Sequence, residues 1–144
     1  MKVTINLKPL KELLSSEDRW CKDSYAKTID NSPVLIGDPK AYRFCLEGAI
    51  IKIYAHKREP WFAKYKTLEF VKKCLYDYST KHNLLSATKS LIDFNDKSSH
   101  KEIVEFLNSL PDEYIVEVKD TNQDENNNDK HQTSIHFSAL QIYC

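Results

Sequence analysis

The chain has 144 residues, with 21 Lys and Arg against 21 Asp and Glu, so its formal net charge is zero. That balance argues against a general nucleic-acid binder, which needs a basic excess to neutralise phosphates, and a hydrophobic content of 41% argues against a disordered chain. No apolar run approaches the roughly 18 residues of a membrane span, and "MKVTINLKPLKELL" lacks the continuous apolar core of a signal peptide, so the expectation is one cytoplasmic domain large enough to bury a core.

Residues 7 to 18 place Leu7, Leu10, Leu13 and Leu14 at helical spacing, with Pro9 near the start. "RWCKDSYAKTIDNSPVLIGDPK" then reads as a long connection punctuated by Pro33, Gly37 and Pro39. Loops of such length often carry function. A central helix is expected from about Lys40 to Lys57, apolar almost all round, with only Arg43, Glu47 and Lys52 as charges along most of it. The next is expected from about Thr67 to His82, with Leu68, Val71, Leu75 and Tyr78 facing inward, followed by a short one over Ser86 to Ile92. Ser99 with Glu102 forms a capping-box pattern, Ile103, Phe106, Leu107 and Leu110 make a buried stripe, and Pro111 stops that helix.

The character changes after Pro111. "EYIVEVKD" alternates, with Tyr114, Val116 and Val118 on one face, and "QTSIHFSALQIYC" alternates with Ile135, Phe137 and Ala139 on one face. The polar "TNQDENNNDK" between them reads as a loop tip. The expected fold is therefore α+β and mostly helical. A body of four to five helices over about 5–111 is followed by an antiparallel hairpin over about 113–143, packed on the helices because a lone hairpin is marginal in water.

Four cysteines, Cys21, Cys45, Cys74 and Cys144, show no paired spacing and read as reduced thiols. No close ligand pair favours zinc, and neither a metal nor a cofactor is expected. Asp120, Asn122 and Asp124 echo a calcium loop, but Glu125 stands where Gly is needed and His131 where the bidentate Glu belongs.

Cys45 is the one thiol near a helix start, a position that lowers a thiol pKa when a base lies close. Of the possible bases His56, His82, His100, His131 and His136, His56 is eleven residues on and about 16 Å away along one helix, so a base has to come from elsewhere, with His100 or His136 preferred and Asp96 of "FND" as the orienting carboxylate. Against this stands the usual fate of a free cysteine, burial as a small apolar residue. Gly48 and Ala49 favour that alternative, because together they form a small-residue notch for close packing, with Trp20 or Trp61 as the filler. Asn95 and Asp96 also fit a turn before a helix. "AHKREPWFAKYK", residues 55 to 66, interleaves His56, Lys57, Arg58, Lys64 and Lys66 with Trp61, Phe62 and Tyr65. Such a stretch suits single-stranded nucleic acid or a protein hot spot, and zero net charge favours the protein.

Trp20, then Cys45 with Gly48 and Ala49, then Phe94, Asn95 and Asp96 form a pattern that resembles a family of small bacterial and phage proteins of unknown function. The likeness covers about residues 5 to 110, with Arg19 where the pattern has Gly and the carboxy-terminal hairpin as an addition. It implies that Trp20, Cys45, Gly48, Asn95 and Asp96 form one cluster, and it implies no activity.

The function expected from the sequence is that of a small cytosolic bacterial interaction or regulatory protein. It binds a protein partner through Trp20, Arg58, Trp61, Phe62, Tyr65, Asn95 and Asp96. Its Asn-, Lys- and Ile-rich composition also fits an accessory or inhibitor protein exported into a host. The alternative is a cysteine-dependent hydrolase or transferase using Cys45, His100 or His136, and Asp96. The oligomeric state is left open.

Overall fold

A computed structural model of the chain describes residues 1–82 and 90–118. Their architecture is α+β, with five α-helices and two small antiparallel sheets among the described residues.

The first element is a strand. β1 (Lys2–Asn6) carries β-branched Val3, Thr4 and Ile5, and it pairs antiparallel with β5 (Glu113–Glu117), Lys2 opposite Glu117 and Asn6 opposite Glu113. Helix α1 (Lys8–Leu13) follows directly, with Pro9 in its first turn and the Asn6 side-chain oxygen accepting the Lys8 N–H at 2.9 Å. Leu7, Leu10 and Leu14 are fully buried. The Lys11 ammonium donates to the Leu110 carbonyl at 2.6 Å and to the Asp112 carboxylate at 3.0 Å, which ties α1 to the residues just before β5.

Residues 20 to 44 are not a plain connection. After a 3-10 turn (Glu17–Arg19), the chain builds a three-stranded sheet in the order β3 (Pro33–Val34), β2 (Ala26–Lys27), β4 (Arg43–Phe44). Strands of two residues leave no alternation for a sequence to display. Asp23 and Asn31 turn the chain at φ 66° and 71°, the left-handed region that Asn and Asp tolerate best after Gly. A parallel bridge joins Trp20 to Phe44, and the Cys21 N–H donates to the Phe44 carbonyl at 3.2 Å.

Helix α2 (Leu46–Tyr54) is central, packed on α1, α3 and α4, but shorter than its apolar run implied. The residues before it belong to β4, and Cys45 is its N-cap rather than a residue one turn in. Helix α3 (Ala63–Lys81) buries Phe70, Val71 and Leu75 and covers the β1–β5 sheet: the Phe70 and Tyr114 rings stack at 4.0 Å, and the Thr67 and Tyr114 hydroxyls share a hydrogen bond of 3.1 Å. Leu68 and Tyr78 of the expected stripe are only half-buried.

Helix α4 (Leu91–Lys97) contains "FND" within its last turn, so this tripeptide closes a helix instead of preceding one. Helix α5 (His100–Ser109) begins with the expected capping box, Ser99 and Glu102 each bonding the other's backbone N–H. Tyr114, Val116 and Val118 are buried as the alternation required, but the partner strand is β1. The second hairpin strand, His131, His136, Cys144, the calcium-like acids and most of the short helix expected over Ser86 to Ile92 lie outside the described residues. Among the described residues no helix is long and apolar enough to cross a membrane.

Candidate functional site

The residues singled out from the sequence separate into two places. The first is a buried joint around Asn95, which is fully buried on α4. Its side-chain oxygen accepts the Trp20 indole N–H at 2.7 Å and the Leu46 N–H at 3.0 Å. Its amide nitrogen donates to the Cys21 carbonyl at 3.0 Å and to the Asp96 carboxylate at 3.1 Å. All four hydrogen-bonding valences of the amide are used. One of them satisfies an N–H that the first turn of α2 would otherwise leave unpaired.

Cys45 and Gly48 complete the joint. The Cys45 sulfur accepts the Gly48 N–H at 3.2 Å, and the Cys45 N–H donates to the Tyr25 carbonyl at 3.3 Å. A Cβ added at Gly48 would overlap the Tyr25 carbonyl oxygen and lie 2.9 Å from its carbon. The notch is therefore filled by the backbone of Tyr25, not by Trp20 or Trp61. Hydrogen bonds join Trp20, Asn95 and Asp96, and Cys45 with Gly48 adjoins them through its chain neighbour Leu46.

This joint is poorly suited to nucleophilic chemistry. Cys45 is 3% exposed, and burial, the dominant cause, pushes its thiol up to about 11 despite the Gly48 N–H at its sulfur. Cys21 is pushed up to about 11 as well, first by burial and then by the neighbouring Cys45. Both thiols are free, and Cys74 is not among the free ones. His100 bonds elsewhere: its Nε2 donates to the Leu14 carbonyl at 2.7 Å while its ring lies 5.6 Å from that of Trp20. Asp96 accepts the Asp23 N–H at 3.0 Å and the Asn95 amide, orienting a loop and a side chain rather than a histidine. Trp20 and Asn95, expected among binding residues, are interior. Among the described residues no group of His, Cys, Asp and Glu is arranged to hold a metal ion.

The second place is the turn between α2 and α3. Trp61 is 59% and Tyr65 57% exposed, one helical turn apart, and the Lys64 ammonium sits 4.4 Å over the Tyr65 ring. Phe62 is buried and anchors the turn, its ring edge-on to Trp61 at 5.8 Å. Arg58 is exposed, and its backbone N–H donates to His56 Nδ1 at 3.1 Å. Lys66, counted among the basic residues of this stretch, is instead buried and paired with Glu69 at 3.0 Å. Two hollows flank the turn. One of about 580 Å³ reaches Pro9, Glu12 and Leu13 of α1 and Lys52 and Ile53 of α2. The other, of about 360 Å³, lies against Pro60, Trp61, Lys64 and Tyr65, and both are lined by His56 and Glu59. The α1 and α2 residues of this surface were not found from the sequence. Helical spacing marks Glu12 and Lys52 as outward-facing, but nothing in it says that α1 lies beside the turn. Comparison with protein-family models, curated proteins and solved structures yields no match to this chain.

Proposed function

We propose that the chain acts by binding a protein partner through the α2–α3 turn, as a small regulatory or interaction protein. The observation that carries this reading is the pair Trp61 and Tyr65, both more than half exposed beside Arg58 and two hollows. Trp, Tyr and Arg are the residue types that dominate binding energy at protein interfaces. The buried joint around Asn95 is the support that holds α2 and α4 in place, so Trp20, Asn95 and Asp96 serve the surface indirectly.

The experiment is site-specific photo-crosslinking in cytosol of the native host, with a benzophenone amino acid at position 61 or, as a control, at exposed Lys101 on α5. A discrete protein adduct from position 61, absent from position 101 and reduced about tenfold by Tyr65→Ala, is the expected result. Identical adduct patterns from both positions overturn the reading. The cysteine-enzyme alternative is disfavoured by a buried thiol with a raised pKa and a histidine bonded elsewhere.

A further inference from the structure

The α2–α3 turn gathers cations on a chain whose total charge is zero. Lys52 and Arg58 line the larger hollow and Lys57 and Lys64 the smaller, against Glu12 and Glu59. The ion pairs among the described residues are Met1–Glu117, Lys11–Asp112 and Lys66–Glu69. The four cations of the hollows hold none of them. We propose that the partner segment seated here is an acidic peptide carrying an apolar anchor side chain, an inference that rests on the protein-binding reading above.

The anchor has an apolar seat on each side of the turn. Pro9, Leu13 and Ile53 wall the larger hollow, and Pro60, Trp61 and Tyr65 wall the smaller. The hollows share His56 and Glu59, so they adjoin each other across the turn. Acidic side chains flanking the anchor meet cations on both sides without breaking an existing ion pair, although Lys64 also lies over the Tyr65 ring and Lys52 over that of Phe44. Such exposed charges mainly steer encounter and fix register, and the anchor supplies most of the affinity. Single-stranded nucleic acid is the competing anion. The aliphatic wall of Pro9, Leu13 and Ile53 offers a base no stacking face, and Glu12 and Glu59 repel a continuous phosphate chain.

The test uses the full chain and three fluorescein-labelled probes: a short peptide of Glu residues with Leu and Phe among them, the same peptide with Lys for every Glu, and oligothymidylate. Fluorescence anisotropy should show saturable binding of the acidic peptide, weakened by salt. Affinity should fall about tenfold in R58E/K64E and by a similar factor in W61A. Circular dichroism confirms that these exposed-site variants stay folded. Equal binding of the Lys peptide, tighter binding of oligothymidylate, or no binding of the acidic peptide overturns the proposal. A protein adduct at position 61 together with no acidic-peptide binding refutes the acidic chemistry and leaves the protein-binding reading standing. Absence of both ends both.

Discussion

Asn95 ties its helix with one amide to two stretches distant in sequence, Trp20–Cys21 and Leu46. Asn95→Ala leaves a buried indole N–H, a buried backbone N–H and a carbonyl without partners. At about 1–3 kcal/mol for each of the three unsatisfied groups, the expected loss is at least about 3 kcal/mol, read as a lower urea midpoint. The two thiols carry a pH dependence. Burial raises Cys21 and Cys45 to about 11 in the folded protein, against about 8.5 for a free thiol. The unfolded chain therefore loses these protons first, so their contribution to stability is complete below about pH 8.5 and is lost as pH rises towards 11. The buried phenols of Tyr54 and Tyr114 are raised too, chiefly by burial, and push in the same direction at higher pH. Urea midpoints measured from pH 8 to 10.5 should decline in the native chain and decline less in C21A/C45A.

Helix α2 shows at the scale of an element how packing overrides propensity. A mid-helix glycine gives up about 1 kcal/mol relative to alanine, so Gly48→Ala would stabilise an isolated helix. Here the added methyl meets the Tyr25 carbonyl, which is held in place by the Cys45 N–H. The expected result is a net loss of about 2–3 kcal/mol in equilibrium unfolding; unchanged or raised stability would mean that the Tyr25 backbone moves aside freely. The notch itself was legible from "GA" in an apolar helix, but its occupant was not, because a backbone carbonyl leaves no mark in side-chain patterning. The capping box at Ser99 was fully legible, since both partners lie within one helical turn and their chemistry is local. The short strands of residues 20 to 44 were hidden for the opposite reason: each holds two residues, and their pairing is set by tertiary contact. Helix α2 was read too long because Tyr42, Phe44 and Cys45 are as apolar as the helix they precede, and a cysteine N-cap is not a usual start signal.

Across the whole molecule, the pairing least legible in the sequence is that of β5 with β1. The alternation of Tyr114, Val116 and Val118 gave the right face, yet pairing with Lys2–Asn6 could not be read from either segment alone. Deleting residues 1–6 should therefore do more than trim a terminus. It strips β5 of its hydrogen-bond partner among the described residues, takes Val3 away from Val116, and removes the Asn6 carbonyl that accepts the Tyr54 hydroxyl at 2.6 Å. The expected outcome is a broad, poorly cooperative urea transition with a reduced slope. A sharp transition near the native midpoint would show that the sheet is dispensable.

The same closure sets a schedule for the newborn chain. β1 leaves the ribosome well before its partner, which lies more than a hundred residues later in the chain. At translation rates of about 5–20 residues per second, β1 waits on the order of 10 s with its edge unpaired. During that interval the strand presents open hydrogen-bonding groups to any neighbouring nascent chain. Lys2 and the turn-forming Asn6–Pro9 stretch flank it, so charge at one end and a helix start at the other limit how far a foreign strand can zip along it.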